Sequence, residues 1–204
     1  MRLRLTITAI AIALAGCGQF AAPAQQVEYD PSRAGTVAHA LCLLGYTGVP
    51  LRSIVTGHHL VDVRINGRTA RFVVDTGANA TVLHAPLAAE LGLGGGTAVP
   101  GAAIGLGGAL KARQVPVERF EIGGIPIRRS RIVTADLSQV ANVLGPLSGG
   151  KIYGIIGQDV MKEHRAVIDV AGPILYLIPG DRGPAPVPAE TCRGGGGPGS
   201  EKAG

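Results

Sequence analysis

An all-β domain is the fold this sequence predicts, and three observations predict it. Val61, Val63 and Ile65 alternate with Asp62 and Arg64, the period-two pattern of a half-buried strand. Asn66 and Gly67 follow, a dipeptide favoured in two-residue hairpins because both central positions take positive φ. Two further alternating runs, 115–122 and 125–133, flank Gly123 and Gly124 and repeat the hairpin signal.

The elements then follow in order. The strand returning from the first turn runs from Arg68 into Asp75, and Thr81 to Leu83 is a further strand. Pro86 to Leu91 reads as a short helix, with proline in its first turn and Gly92 at its stop. Residues 92–108 carry so much glycine that no ordinary core element is expected there. His164 to Val170 and Pro173 to Ile178 read as two closing strands around Ala171 and Gly172. Upstream, Val37, Leu41 and Leu44 recur at helical spacing within 36–44, and Gly45 ends that segment.

The two ends differ from the middle. Arg2 and Arg4 precede an apolar run from Leu5 to Leu14, then the small residues Ala15 and Gly16 and then Cys17. Residues 1–16 read as a cleaved export signal, too short in its apolar part to span a bilayer comfortably. Leu14, Ala15, Gly16 and Cys17 resemble a bacterial lipoprotein signal, which implies Cys17 as a lipidated N-terminus. With Gly18 rather than an acidic residue next, the resemblance implies the outer membrane, with the body of the protein on the periplasmic side. An ordinary secretory signal that contains a cysteine is the alternative. Residues 17–52 read as a spacer with a short helix, 53–180 as the folded domain and 181–204 as a Gly/Pro-rich disordered tail. Of the three cysteines, Cys42 and Cys192 then remain as an even pair in a compartment that permits disulfides. They are expected either to join the segments before and after the domain or to stay as two separate thiols.

Composition narrows the function. What remains of the 204 residues after signal, spacer and tail is enough for one core. The net charge of +5 includes arginines of the signal and tail, and the aromatic share of 3% leaves few platforms for stacking bases, which argues against a nucleic-acid partner. Arg128, Arg129 and Arg131 form a tight basic group that reads as a solvated strand end, with a membrane or peptide contact as the alternative. His58 and His59 are adjacent and point to opposite faces of a strand, while His39, His84 and His164 are scattered, so no metal site is expected. No serine stands in a Gly-X-Ser-X-Gly elbow. Gly105, Gly107 and Gly108 lack the spacing of a nucleotide loop.

The chemistry concentrates in Phe72, Val73, Val74, Asp75, Thr76, Gly77 and Ala78. An apolar strand delivers one carboxylate to the mouth of a tight turn, Thr76 offers a local hydrogen bond, and Gly77 lets backbone approach the carboxylate. Downstream come Ile155, Ile156, Gly157, Gln158, Asp159 and Val160. In this order the two segments resemble the two signatures of the retropepsin-like aspartic protease family, and the likeness runs from about Val55 to Pro179. The resemblance implies a β-barrel half-domain with one or two short helices and a flap hairpin. The apolar pair would thread beneath the Asp75 loop, followed by a short helix over Gln158 to Glu163.

By the same resemblance, Asp75, Thr76 and Gly77 are the catalytic residues and Ala78 lines the cleft. The flap falls over Pro100 to Leu110, with Ile104, Gly105 and Leu106 covering a bound peptide. The reaction is hydrolysis of extended peptides or unfolded proteins, with no metal or cofactor. It needs one carboxylate to take a proton from water and a second, protonated one to hydrogen-bond the carbonyl. The chain has one such Asp, since Val170 and Ala171 rather than Thr and Gly follow Asp169. A homodimer is therefore implied. Where many viral members pair an acidic residue with an arginine, this chain has Asn79 and Gln158, for which a neutral hydrogen bond is the expected replacement. Dimerising end strands are not recognisable.

Overall fold

The Asn66–Gly67 turn has φ of 49° and 80°, the double positive-φ geometry of the tight hairpin. It sets a register that runs from Ile65 opposite Arg68 to His59 opposite Val74. Around this hairpin the computed structural model describes residues 29–99, 111–180 and 183–193, and between them only the backbone of 104–105 and 108–109. The signal and Cys17 lie outside the described residues.

In chain order the elements are α1 (Val37–Leu43), β1 (Thr47–Pro50), β2 (Arg52–Ser53), β3 (His59–Ile65), β4 (Arg68–Val74) and β5 (Val82–His84). A 3-10 helix over Ala85–Leu91 ends on Gly92, which is left-handed at φ 72°. Then come β6 (Thr97–Val99), β7 (Ile104–Gly105), β8 (Gly108–Ala109), β9 (Ala112–Pro116), β10 (Phe120–Ile122), β11 (Ile125–Pro126) and β12 (Arg131–Ala135). The chain finishes with α2 (Ser138–Ser148), β13 (Gly154–Ile156), α3 (Gln158–Glu163), β14 (Val167–Asp169), β15 (Ile174–Leu177) and a 3-10 turn over Ala189–Cys192.

Ten strands share one sheet, in the order β11-β10-β3-β4-β13-β5-β12-β9-β6 with β2 also on β3. This path has two free ends, so the expected barrel does not close among the described residues; the fold is all-β and open. A second sheet has the order β1-β15-β14. The core lies where the alternation directed it: Val61, Val63 and Ile65 are buried while Asp62 and Arg64 are exposed. Phe72 and Phe120 meet there with ring centroids 6.3 Å apart.

Several elements depart from expectation. Each long alternating run divides in two: β9 stops at Pro116, β11 at Pro126, and the amides of Glu118 and Arg119 turn aside to donate to Asn66 Oδ1 at 3.1 Å each. β6 forms inside the glycine-rich stretch, at the sheet edge beside β9. His164 caps α3 instead of opening a strand. β1, placed by sequence in the spacer, pairs antiparallel with β15.

Cys42 and Cys192 are joined by a disulfide across 150 residues of sequence. Residues 183–193, read from composition as part of a disordered tail, are held by that bond and by two backbone hydrogen bonds. The amides of Ala185 and Val187 donate to the carbonyls of Leu44 and Leu43 at 3.1 and 2.9 Å. A cross-link supplies the order that a sequence poor in apolar residues cannot supply by burial.

Candidate active site

β4 and β13 run parallel, with Val73 opposite Ile155 and Val74 opposite Ile156. Where β4 ends, the Asp75 amide still donates to the Ile156 carbonyl at 3.0 Å, so the last ladder bond fixes the backbone of the acidic residue. The chain then turns. The Ala78 amide donates to the Asp75 carbonyl at 3.2 Å, and the Gly77 amide donates to Asp75 Oδ1 at 2.8 Å. The carboxylate is thus oriented by its own turn. Asp75 is half-buried, while Thr76 and Gly77 are exposed.

The second signature locks the turn from beneath. A Cβ on Gly157 would lie 2.5 Å from the Ala80 carbonyl group and 2.9 Å from the Ala78 oxygen, so only glycine lets the two backbones come this close. Gln158 clamps the same turn twice, its amide donating to the Ala78 carbonyl and its Nε2 to the Thr76 carbonyl, both at 2.7 Å. The expected Asn79–Gln158 bond is not the one made. Gln158 is spent on loop backbone, because its short reach from the start of α3 ends at Thr76.

An ionic network lies behind this turn. Asp159 Oδ1 accepts from the Thr81 amide at 2.8 Å, the Thr81 hydroxyl at 2.7 Å and the Val160 amide at 2.8 Å. Asp159 Oδ2 accepts from Arg129 Nη1 at 2.7 Å, and Arg129 Nη2 reaches Glu163 at 3.3 Å. The Thr81 oxygen in turn accepts the Gly157 amide at 3.0 Å. Arg129 is therefore an ion-pair partner of α3 and not the solvated strand end read from sequence.

Asp75 opens onto a pocket of about 300 Å³. Val73 and Ile155 form its floor, Val140, Val143 and Leu144 of α2 form its wall, and His58 and Gln139 supply polar groups. α2 is held over the sheet at both ends. The Leu137 amide donates to His84 Nδ1 at 3.0 Å, and Arg71 Nη1 donates to the Ser148 carbonyl at 3.1 Å. At its start, the hydroxyl and amide of Ser138 bond Asp136 and hold that carboxyl below its ordinary value.

The structure therefore brings Asp75, Thr76, Gly77 and Ala78 into one turn. Ile104 and Gly105 fall in a backbone hairpin, with Gly105 paired to Gly108. Leu106 lies outside the described residues, as does Cys17. Sequence reasoning missed the α2 wall and the Asp159–Thr81–Arg129 network. Val140, Leu144 and Leu147 do recur at helical spacing before Gly149, but Gly145 and Pro146 interrupt the pattern. The network joins residues 30 and 78 positions apart, for which no local pattern exists. Among the described residues no cluster of three or more His, Cys, Asp or Glu is placed to hold a metal ion. None of their helices is long and apolar enough to cross a membrane.

Residues 61–160 match the aspartyl protease family, a span that opens in β3 and closes in α3. Solved structures similar to the chain include the following two. One is a retropepsin-like aspartic protease from Rickettsia conorii, 18% identical, covering 65% of this chain and 89% of that one at a TM-score of 0.44. The other is the EIAV protease complexed with the inhibitor HBY-793, 24% identical, covering 50% of this chain and 84% of that one at a TM-score of 0.39. No curated protein matches the sequence. The span that matches the aspartyl protease family holds the Asp75 turn, the Gly157 crossing beneath it and the helix that clamps both.

Proposed function

We propose that the chain is an aspartic endopeptidase that works as a homodimer, with Asp75 of one subunit paired with Asp75 of its partner, on extended peptides or unfolded protein segments. The observation that carries this reading is the Asp75 carboxylate, half-buried and oriented by Gly77, at the mouth of an apolar pocket. Two such carboxylates held close cannot both ionise cheaply, so the pair shares one proton. The ionised member takes a proton from the attacking water, and the protonated member hydrogen-bonds the scissile carbonyl. No cofactor enters this chemistry. Thr76 bonds across the dimer axis, Gly77 shapes the floor of the site, and Ala78 lines the cleft.

The β7–β8 hairpin is the flap, and Ile104, Gly105 and Leu106 lie over the peptide, whose main chain adds to the hairpin as a strand. Cys17 carries the lipid. Its anchor places the protein in the cell envelope, on the periplasmic side of the outer membrane, and holding subunits on one surface raises their effective concentration.

The test is hydrolysis of a diverse peptide mixture by the full-length dimer from about pH 3 to 7, beside Asp75→Asn of matched fold and dimerisation. Cleavage is expected from the parent and not from the variant. Equal cleavage by both would remove Asp75 from the mechanism, and no cleavage by either would favour a peptide-binding lipoprotein that uses the same cleft. Cys17→Ser is expected to move the protein from the membrane to the soluble fraction, and an unchanged distribution would remove the anchor.

A further inference from the structure

We infer that Asp159 is a positioning residue for the reaction, acting on Asp75 through Thr81 and Gly157, and that Arg129 makes a carboxylate obligatory at that position. The inference rests on the peptidase reading above for its kinetic consequence. Its structural basis is a continuous chain of contacts: Arg129 to Asp159, Asp159 to Thr81, and the Thr81 oxygen to the Gly157 amide. Gly157 is flanked by the two residues that hold the active turn, Ile156 through the Asp75 amide and Gln158 through Thr76 and Ala78. A shift at Asp159 therefore reaches Asp75 through one side chain and one peptide unit.

The donor count explains why the residue must be an acid. Every neighbour that bonds Asp159 is a donor: three hydrogens converge on Oδ1, and the guanidinium faces Oδ2. The Thr81 hydroxyl spends its hydrogen on Asp159 and its lone pair on Gly157. An asparagine has only one acceptor oxygen. Its NH2 would face either the Thr81 amide or Arg129 Nη1, donor against donor. Arg129 cannot adjust by losing a proton, and its Nε is buried with no partner among the described residues. The Asp159–Arg129 ion pair braces the turn from behind.

The experiment compares full-length parent, Asp159→Asn, Asp159→Asn/Arg129→Gln and Thr81→Val, each of confirmed fold, by peptide kinetics and by amide hydrogen exchange at Gly77 and Gly157. In the double variant the Gln carbonyl accepts from the Asn NH2, so the donor clash is removed. Asp159→Asn is expected to lower kcat about 100-fold with KM unchanged, the signature of a displaced reacting group. It is also expected to speed exchange at both glycines about tenfold. The double variant is expected to recover most of both losses. Thr81→Val cuts the link to Gly157 while leaving the Asp159–Arg129 pair, and is expected to reproduce the kcat loss; it decides the matter if Asp159→Asn does not fold. Wild-type kcat and exchange in the variants, or a double variant no better than the single, would overturn the inference. If the parent cleaves no peptide, the peptidase reading fails alone, and the exchange measurements still decide whether Asp159 holds the turn.

Discussion

Gly157 shows how a single missing atom builds the site. Its backbone is extended, at φ −101°, so conformation alone does not require glycine there; contact does. A methyl group would stand 2.5 Å from the Ala80 carbonyl group, and neither backbone can yield without breaking the bond between the Gln158 amide and Ala78. Gly157→Ala is expected to cost about 1–3 kcal/mol, the range for overpacking a tight interior, and to lower activity by tilting the Asp75 turn. Urea denaturation beside peptide kinetics checks this, and a variant as stable as the parent would mean that the loop slides freely over β13. This residue was legible in sequence as part of a two-segment signature. Asp159, two positions on, was legible only as a member of the same run, because its partners Thr81 and Arg129 are set by the packing of three separate elements. The Gln158 bond to Thr76 likewise depends on the direction in which α3 leaves β13.

At the scale of elements, α2 is the wall of the pocket, and the turn that opens it carries a pH-dependent contact between Asp136 and Ser138. The Asp136 carboxyl is kept below its ordinary value chiefly by the Ser138 hydroxyl, with the Ser138 amide next. A depressed carboxyl contributes stability that is fully present above its unfolded value and is lost as pH falls through the lower folded value. The start of α2 therefore loosens at the acid end of the range in which a paired-carboxylate peptidase works. Ser138→Ala, which removes the leading donor, is expected to flatten the acid limb of the stability profile relative to the parent. Denaturation midpoints from neutral pH to about pH 3, below the ordinary Asp value, measure it, and parallel acid limbs would show that this contact does not contribute. The hairpins were legible because period-two burial and their turns are written in adjacent residues, Asn66–Gly67 and Gly123–Gly124. α2 was not, because Gly145 and Pro146 break its pattern while tertiary contacts from His84 and Arg71 hold it.

For the whole molecule, the second sheet alters what the sequence led one to expect at the margins of the domain, and the disulfide is the joined outcome of the two expected for Cys42 and Cys192. β1 and residues 183–193 join the folded body instead of trailing from it, since β1 pairs with β15 and Cys192 is fully buried on α1. A loop of this length is at the upper end of the range in which a cross-link stabilises by restricting the unfolded chain, about 2–5 kcal/mol. Full reduction, or Cys42→Ser/Cys192→Ser, is expected to lower stability by that amount. An unchanged denaturation midpoint would assign the order of 183–193 to its backbone bonds with Leu43 and Leu44 alone. All-β character was legible from alternation, whereas openness was not, because closure depends on which edge strands meet across the molecule and no local pattern states it.

The same bond has a consequence for a protein proposed to cut unfolded chain in its own company. Cys42 and Cys192 bracket every strand among the described residues, so the chain between them is topologically a ring. A single backbone cut anywhere between them, including one in the glycine-rich stretch 92–108, opens the ring without freeing a fragment. Such a nicked molecule would migrate as one species until reduced and as two afterwards, and it would carry its whole sheet through damage that would dismantle a linear chain.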